Sequence, residues 1–274
     1  MPVKRTATLA LCLLVLGGVP TVWAQTNTTA VFEKEAFELE LDVSYLSYDE
    51  PNVKTKGMMY GTTGSYTYHD NIILKAELRA AYGGVEWDGT TLAGTRVTQS
   101  DTHNILAELR GLGGYDFPVL ASSVLTPYLG IGVRYVNNDA VPQPYERETY
   151  YLYSPIGVTF VTNLGKGWSL GESVEYDYLW EGYQTSHPMD NLPGLRDDAD
   201  LPVHQKNGYG ARGSVTLEKR YRNIVFAGGP FVNYWKVERL NPQTYPYAGN
   251  PAGFVWREPG NNSLEIGVEL RVKF

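Results

Sequence analysis

Residues 264–274 read LEIGVELRVKF, and the character of the side chain changes at every step. The odd positions carry glycine or charged side chains. The even positions carry apolar side chains, namely Leu264, Ile266, Val268, Leu270, Val272 and Phe274. Successive side chains of a β-strand point to opposite faces, so this segment is predicted to be a strand with one apolar and one charged face.

The same alternation recurs along the chain. It is distinct in residues 37–45, 72–82, 129–135, 168–180 and 209–217, and weaker in residues 57–69, 102–117, 148–162 and 223–237. Together with the last segment this predicts about ten strands. They are about 10 to 13 residues long, the length a tilted strand needs to cross a bilayer, whereas strands of soluble proteins usually have about five or six residues.

The segments between the strands alternate in length. Residues 69–71, 163–167 and 219–223 form short connections and 118–124 an intermediate one, whereas 49–56, 85–101, 137–148, 181–206 and 238–260 are long and polar. This alternation predicts an all-β fold, a closed antiparallel up-and-down transmembrane barrel with short periplasmic turns and long extracellular loops. A soluble barrel with its apolar face inward has the same period; strand length and the aromatic residues near strand ends, such as Tyr45 and Trp180, favour the membrane.

The N-terminus has the features of an export signal. Lys4 and Arg5 precede an apolar stretch that ends at Pro20, and a small-residue cleavage site follows at Ala24. Leu11 is too bulky for the residue that precedes a lipid-modified cysteine, which disfavours Cys12 as a lipidation site. We therefore expect residues 1–24 to be a signal peptide, 25–36 a periplasmic N-terminal segment and 37–274 the barrel domain.

Composition excludes several classes of function. Removing Lys4 and Arg5 with the signal changes the formal charge from −7 to −9, which argues against a nucleic-acid partner. The sole cysteine lies in the signal, so the exported chain has neither a disulfide nor a thiolate metal site. No phosphate loop, serine-hydrolase elbow or zinc motif is present, and we expect no cofactor. The acidic residues 196–200 are best explained as a solvated loop rather than a calcium site.

The signal peptide, the strand pattern and the final Phe274 resemble those of Gram-negative outer-membrane β-barrel proteins. This resemblance implies localisation in the cell envelope, at the outer membrane. It also implies contact with outer-membrane lipid and recognition of the last strand, with Phe274, by the barrel-assembly machinery during biogenesis.

The charged face is predicted to line the lumen, where both signs of charge lie on neighbouring strands. An eight-stranded barrel is filled by its side chains and a sixteen-stranded one holds a channel, so a ten-stranded barrel is expected to be nearly closed. The predicted lumen charges are Glu38, Glu40, Asp42, Lys75, Glu77, Arg79, Glu108, Arg110, Arg134, Glu175, Asp177, Arg212, Glu218, Glu265, Glu269, Arg271 and Lys273.

In size and strand count the chain is similar to the omptins, ten-stranded outer-membrane proteases that use an Asp pair and an Asp–His pair on facing loops. Glu86 and Asp88, with Asp200 and His204, are the candidates for those pairs. They depart from the family pattern because the first pair begins with Glu and the Asp–His spacing is four rather than two.

Three functions remain open from the sequence. The first is a structural or surface-interaction role carried by the extracellular loops, with an unknown ligand. The second is a narrow, porin-like pore or facilitator for small polar solutes. The third is an omptin-like surface protease, and the sequence assigns no catalytic residue firmly enough to prefer it.

Overall fold

The computed structural model describes residues 34–90, 94–139, 146–187, 201–241, 243–247, 250–256 and 258–274. Strands account for most of these residues. They are β1 (Glu35–Glu50), β2 (Val53–Asp70), β3 (Ile72–Thr90), β4 (Arg96–Tyr115), β5 (Phe117–Leu120), β6 (Ser123–Asp139), β7 (Arg147–Gly165), β8 (Trp168–Ser186), β9 (Leu201–Gln205), β10 (Gly208–Tyr221), β11 (Ile224–Val237), β12 (Gln243–Tyr247), β13 (Asn250–Trp256) and β14 (Asn261–Lys273). The described residues include no helix long and apolar enough to cross a membrane.

Ten of these strands form a closed antiparallel ring. Each pairs with the next in the order β1, β2, β3, β4, β6, β7, β8, β10, β11 and β14. The ring closes because β14 also pairs with β1, from Glu38 opposite Lys273 to Asp49 opposite Asn262. Strand β5 pairs with β6, and β12 and β13 form a separate hairpin. Strand β9 pairs with the last residues of β8, beyond the part of β8 that pairs with β10. The predicted all-β up-and-down barrel is confirmed.

The ring strands are longer than the sequence pattern predicted, from 13 residues in β14 to 20 in β4. Two predicted long loops are therefore wrong. Residues 49–56 contain only a tight turn at Pro51 and Asn52, since β1 and β2 pair up to Glu50 and Val53. Within 85–101, β3 continues to Thr90 and β4 begins at Arg96. Strand β1 begins at Glu35, two residues before the predicted barrel boundary, and residues 1–33 lie outside the described part.

At one end of the ring, β2–β3, β7–β8 and β10–β11 are joined by one or two residues, whereas the other end has the two-residue β1–β2 turn and the longest connections, β8–β10 and β11–β14. Asn71 links β2 to β3 with a φ of 58°, a left-handed conformation that asparagine tolerates. The turn from β7 to β8 has positive φ at Gly165 (82°), Lys166 (53°) and Gly167 (76°). In an up-and-down barrel of this kind the short turns are periplasmic, which makes the opposite end extracellular.

The outer surface carries an apolar belt between two rows of aromatic residues. Its side chains are highly exposed; for Leu270 and Val174 the exposed fractions are 71% and 66%. The periplasmic row includes Phe37, Tyr66, Tyr115, Trp168, Tyr221 and Phe274, and the extracellular row includes Tyr45, Tyr82, Tyr150, Tyr176, Tyr178 and Trp180. A continuous band of exposed apolar side chains flanked by aromatic rows is the lipid-facing surface of a transmembrane barrel.

A bulge changes the face of β8 near its extracellular end. The register shifts between Leu152 and Tyr153 of β7, which pair with Glu181 and Leu179, so that Trp180 is an extra residue. Before the bulge the odd-numbered residues of β8 point inward, and beyond it the even-numbered ones do, so that Gln184 is buried.

Candidate functional site

The interior is the candidate functional site, because the charged side chains predicted for the lumen all lie on the inward face of their strands. Most of them are joined by short ion pairs.

At mid-height Arg79 of β3 holds the carboxylates of two other strands. Its guanidinium donates to Glu265 at 2.5 and 3.1 Å and to Asp42 at 3.0 Å. Glu265 also accepts from Ser44 at 2.7 Å and Asn233 at 3.1 Å. All four lone-pair directions of the Glu265 carboxylate are thus used, and β1, β3, β11 and β14 are tied together.

Arg212 spans the lumen. It lies on β10, and its terminal nitrogens donate to Glu108 of β4, four strands away around the ring, at 2.6 and 2.7 Å. Its Nε donates to Asp177 on the neighbouring strand at 2.7 Å. Because one side chain contacts both walls, the passage between them is occupied by the pair itself.

Toward the periplasm the network continues through two more arginines. Arg110 donates to Glu77 at 2.9 Å and to Glu175 at 2.6 Å. Arg271 lies between Glu40 at 3.0 Å and Glu269 at 2.9 Å. Three more predicted charges join the same network: Lys75 pairs with Glu77 at 2.9 Å, Lys273 with Glu38 at 3.2 Å, and Arg134 lies 3.8 Å from Glu108. Glu218 instead accepts a hydrogen bond from Ser169 at 3.3 Å.

Aromatic side chains cover the charged layer on its extracellular side. Trp235 stacks on Tyr151 with ring centroids 5.7 Å apart and meets Tyr153 edge to face at 5.2 Å. The guanidinium groups of Arg134 and Arg212 lie 5.4 and 5.9 Å from the Trp235 ring. Tyr153 is fully buried, and its hydroxyl donates to Glu108 at 2.8 Å. Aromatic faces over cations are favourable contacts, and these rings narrow the lumen at this level.

Further toward the extracellular end the interior holds apolar and then polar side chains around a second, smaller cavity of about 60 Å³. One apolar cluster comprises Leu46, Met59, Ala81, Val85 and Leu106. Above it Arg147 donates to Glu50 at 2.6 Å, and Gln184 donates to Glu258 at 2.8 Å. Glu258 belongs to the connection between β11 and β14 and is 2% exposed. The base of that connection therefore folds into the barrel mouth.

The periplasmic half retains a cavity of about 300 Å³. Its lining includes Glu38, Lys75 and Arg271 on one side, and Ser173 and Thr216 on the other. The charged layer of Arg79, Arg110 and Arg212 forms part of the same lining.

Glu86, Asp88 and His204, the candidate protease residues that the structure describes, do not converge. Glu86 and Asp88 lie on the outward face of β3, where Glu86 pairs with Lys56 at 3.3 Å and Asp88 with Arg96 at 2.6 Å. Above the apolar belt, the hydrogen bonds from Arg96 lower the pKa of the Asp88 carboxyl.

On the opposite wall His204 is also exposed, 3.3 Å from Glu181 and packed on the ring of Tyr183. Asp200 lies outside the described residues. Outward-facing groups on separate strands do not form a water-activating site.

A histidine–aspartate contact at the periplasmic end was missed from the sequence. His69 Nε2 contacts Asp116, with side chains 8% and 5% exposed, and Thr126 donates to the same carboxylate at 2.6 Å. The contact joins the end of β2 to the connection after β4. No sequence motif marks it, since residues 69 and 116 meet only through the β3–β4 pairing. Within the described residues, no group of His, Cys, Asp or Glu is arranged to hold a metal ion.

Comparisons with known proteins identify the fold but no family. No protein-family model matches the chain, and no curated protein sequence matches it. Among solved structures, it is similar to the outer-membrane protease OmpT from Escherichia coli, with a TM-score of 0.62 and 10% identity over 88% of this chain and 96% of that chain. It also matches the translocator domain of the autotransporter NalP from Neisseria meningitidis, with a TM-score of 0.42 and 12% identity over 87% and 88% of the two chains.

The likeness to OmpT concerns the fold, since the two sequences share a tenth of their residues. Together with the closed ring and its bare apolar belt it places this chain among the outer-membrane β-barrels, and its location is the outer membrane. The specific role follows from the interior and the extracellular surface.

Proposed function

We propose that this protein is a non-conducting outer-membrane barrel with a structural or surface-interaction role at its extracellular end. The observation that carries the proposal is the pair between Arg212 and Glu108, which bridges the lumen at 2.6 Å. Above this pair the interior holds only a small cavity of about 60 Å³, which supports a lumen closed to solutes.

The shape of the extracellular end supports this role. Residues 83–90 of β3 extend beyond Tyr82, which at about 3.4 Å per residue adds roughly 27 Å of strand above the extracellular aromatic row. The interior at this height is largely filled by side chains, and the outside carries exposed ion pairs such as Lys54 with Asp49 at 3.3 Å. A partner would therefore contact the outer face of these strands and the loops rather than the interior of the barrel.

A transport assay and a cleavage assay together test the proposal. Proteoliposomes containing the wild-type barrel are mixed with a small sugar, and swelling is followed by light scattering; the same protein is incubated with a library of basic and acidic peptides. We expect neither swelling nor cleavage. Swelling at a rate that scales with the protein content would favour the pore, and specific peptide cleavage would favour the protease.

The surface role needs a positive test of its own. Cells that display the wild type are compared with cells that display a variant in which the extracellular ion pairs are neutralised by Lys54→Gln and Lys56→Gln. Adhesion to host-type surfaces or to other cells is measured at equal amounts of assembled barrel. We expect cells with the wild type to adhere more than cells with the variant and more than cells that lack the barrel. Equal adhesion of cells with the wild type and cells that lack the barrel would refute a surface-interaction role.

A further inference from the structure

Glu172 stands apart from every other charged residue of the ring. It lies on β8 with its side chain exposed on the outer face, where Val215 of β10 and Phe160 of β7 are its cross-strand neighbours. Its neighbours along the strand on the same face are Leu170 and Val174. A carboxyl group is therefore set in an otherwise apolar, lipid-facing surface.

The position of Glu172 is close to the middle of the belt. Trp168 of the periplasmic aromatic row is four residues away in one direction, and Tyr176 of the extracellular row is four residues away in the other. With about 3.4 Å per residue and a strand tilt near 40°, each row is roughly 10 Å distant. The nearest other outward-facing charge is Lys219 of β10, which lies level with Trp168 at the periplasmic row and has its Nζ over that ring, four residues from the Val215 that pairs with Glu172.

The carboxyl of Glu172 makes neither a hydrogen bond nor an ion pair with any residue that the structure describes. In hydrocarbon the polar atoms of a carboxyl group need hydrogen-bonding partners. Its short side chain cannot reach either aromatic row. A polar group on a second molecule at the same depth would satisfy these atoms.

We propose that the β7–β8–β10 face is a homodimer interface in which Glu172 of two copies form a reciprocal hydrogen-bonded carboxyl pair. Each neutral carboxyl donates its O–H to the carbonyl oxygen of the other. The proposal goes beyond the role at the extracellular end, since it concerns the lipid-facing wall.

Symmetry makes a second copy the fitting occupant. A twofold axis parallel to the membrane normal leaves depth unchanged, so each residue near the axis meets its own counterpart. The outer face provides no lysine or arginine at this depth, so self-association leaves carboxyl–carboxyl pairing as the polar contact available to Glu172. Gly213 of β10, also on the outer face, keeps the surface next to Glu172 low enough for close approach.

Disulfide trapping tests the pair directly, because Cys12 is the only cysteine of the chain. In a Cys12→Ser background, Glu172→Cys is compared with Leu78→Cys, which lies across the ring on β3. Leu78 is four residues before Tyr82, as Glu172 is four residues before Tyr176. After oxidation of isolated outer membranes, we expect the dimer yield of Glu172→Cys to exceed that of Leu78→Cys by about tenfold, since only a self-facing position brings two Cβ atoms within disulfide reach.

A second pair of variants tests the hydrogen bonds without cysteine. Glu172→Gln can form a reciprocal amide pair and is expected to keep the dimer, whereas Glu172→Leu is expected to shift mass photometry in nanodiscs toward monomer. Unboiled gel migration shows that each variant is folded. Equal disulfide yields for Glu172→Cys and Leu78→Cys would overturn the proposal, as would an unchanged dimer fraction in Glu172→Leu. So would photo-cross-linking from position 172 to another polypeptide.

Discussion

Replacing Arg212 with alanine is the sharpest perturbation of the closed interior. The change removes the donors that hold Glu108 at 2.6 and 2.7 Å and Asp177 at 2.7 Å, and these two carboxylates have side chains 1% and 0% exposed. Breaking a buried pair from one side costs about 3–5 kcal/mol because a charge remains without compensation. Tyr153 still donates to Glu108, and Arg134 lies 3.8 Å from it. We therefore expect a loss near the lower end, about 3 kcal/mol.

The assay is urea unfolding of the refolded barrel in lipid bilayers, followed by tryptophan fluorescence. Trp235 is a local probe because its ring lies 5.9 Å from the Arg212 guanidinium. Arg212→Lys keeps the charge but not the planar fork and should fall between wild type and alanine. Arg96→Ala is the matched control, since Arg96 also pairs with a carboxylate but is 76% exposed, and it should leave stability unchanged. If Arg212→Ala is as harmless as Arg96→Ala, the lumen is water-filled and the reasoning is wrong.

Three further changes test the faces and the seam of the barrel. Val268→Arg should destabilise the barrel by about 2–4 kcal/mol if the residue lies near the bilayer midplane, with Val268→Leu as a mild control, and the opposite ranking would mean that the faces are inverted. Gly267→Ala should be destabilising in the same unfolding assay, because an added Cβ would lie 2.6 Å from the carbonyl oxygen of Val43, and an unchanged midpoint would show that the seam can relax. Phe274→Asp should reduce the amount of assembled barrel on immunoblots of outer membranes more than Lys273→Gln does, since Phe274 is 62% exposed on the lipid-facing side, and equal amounts would remove its role in assembly.

The sequence predicted the faces of the strands well because the membrane imposes them. Where one side meets lipid and the other a narrow polar interior, each residue must be apolar or polar according to parity, as in β1 and β14. Above the belt both sides meet water or packed side chains, so this constraint is lost. Residues 49–56 therefore look like a loop, although Thr55 is a buried inward residue of β2.

Long-range contacts of the interior could not be predicted from the sequence. Arg212 and Glu108 are 104 residues apart, and their contact depends on the diameter and stagger of the ring. For the same reason the sequence could not show that Glu86, Asp88 and His204 point outward, since their direction depends on the register of the strands. Glu172 is an exception to the alternation in residues 168–180, because a charged residue stands where the pattern has apolar ones. Its side chain lies on the lipid-facing surface midway between the aromatic rows.

Single-channel recording of the wild-type barrel in a planar lipid bilayer tests the central claim, a lumen closed by paired charges and aromatic side chains. If the side chains from Arg212 to Glu258 close the lumen as proposed, the expected record shows no steady current steps under an applied voltage at either polarity. Large, steady, reproducible single-channel currents that scale with salt concentration would contradict the closed lumen and make a pore the better account.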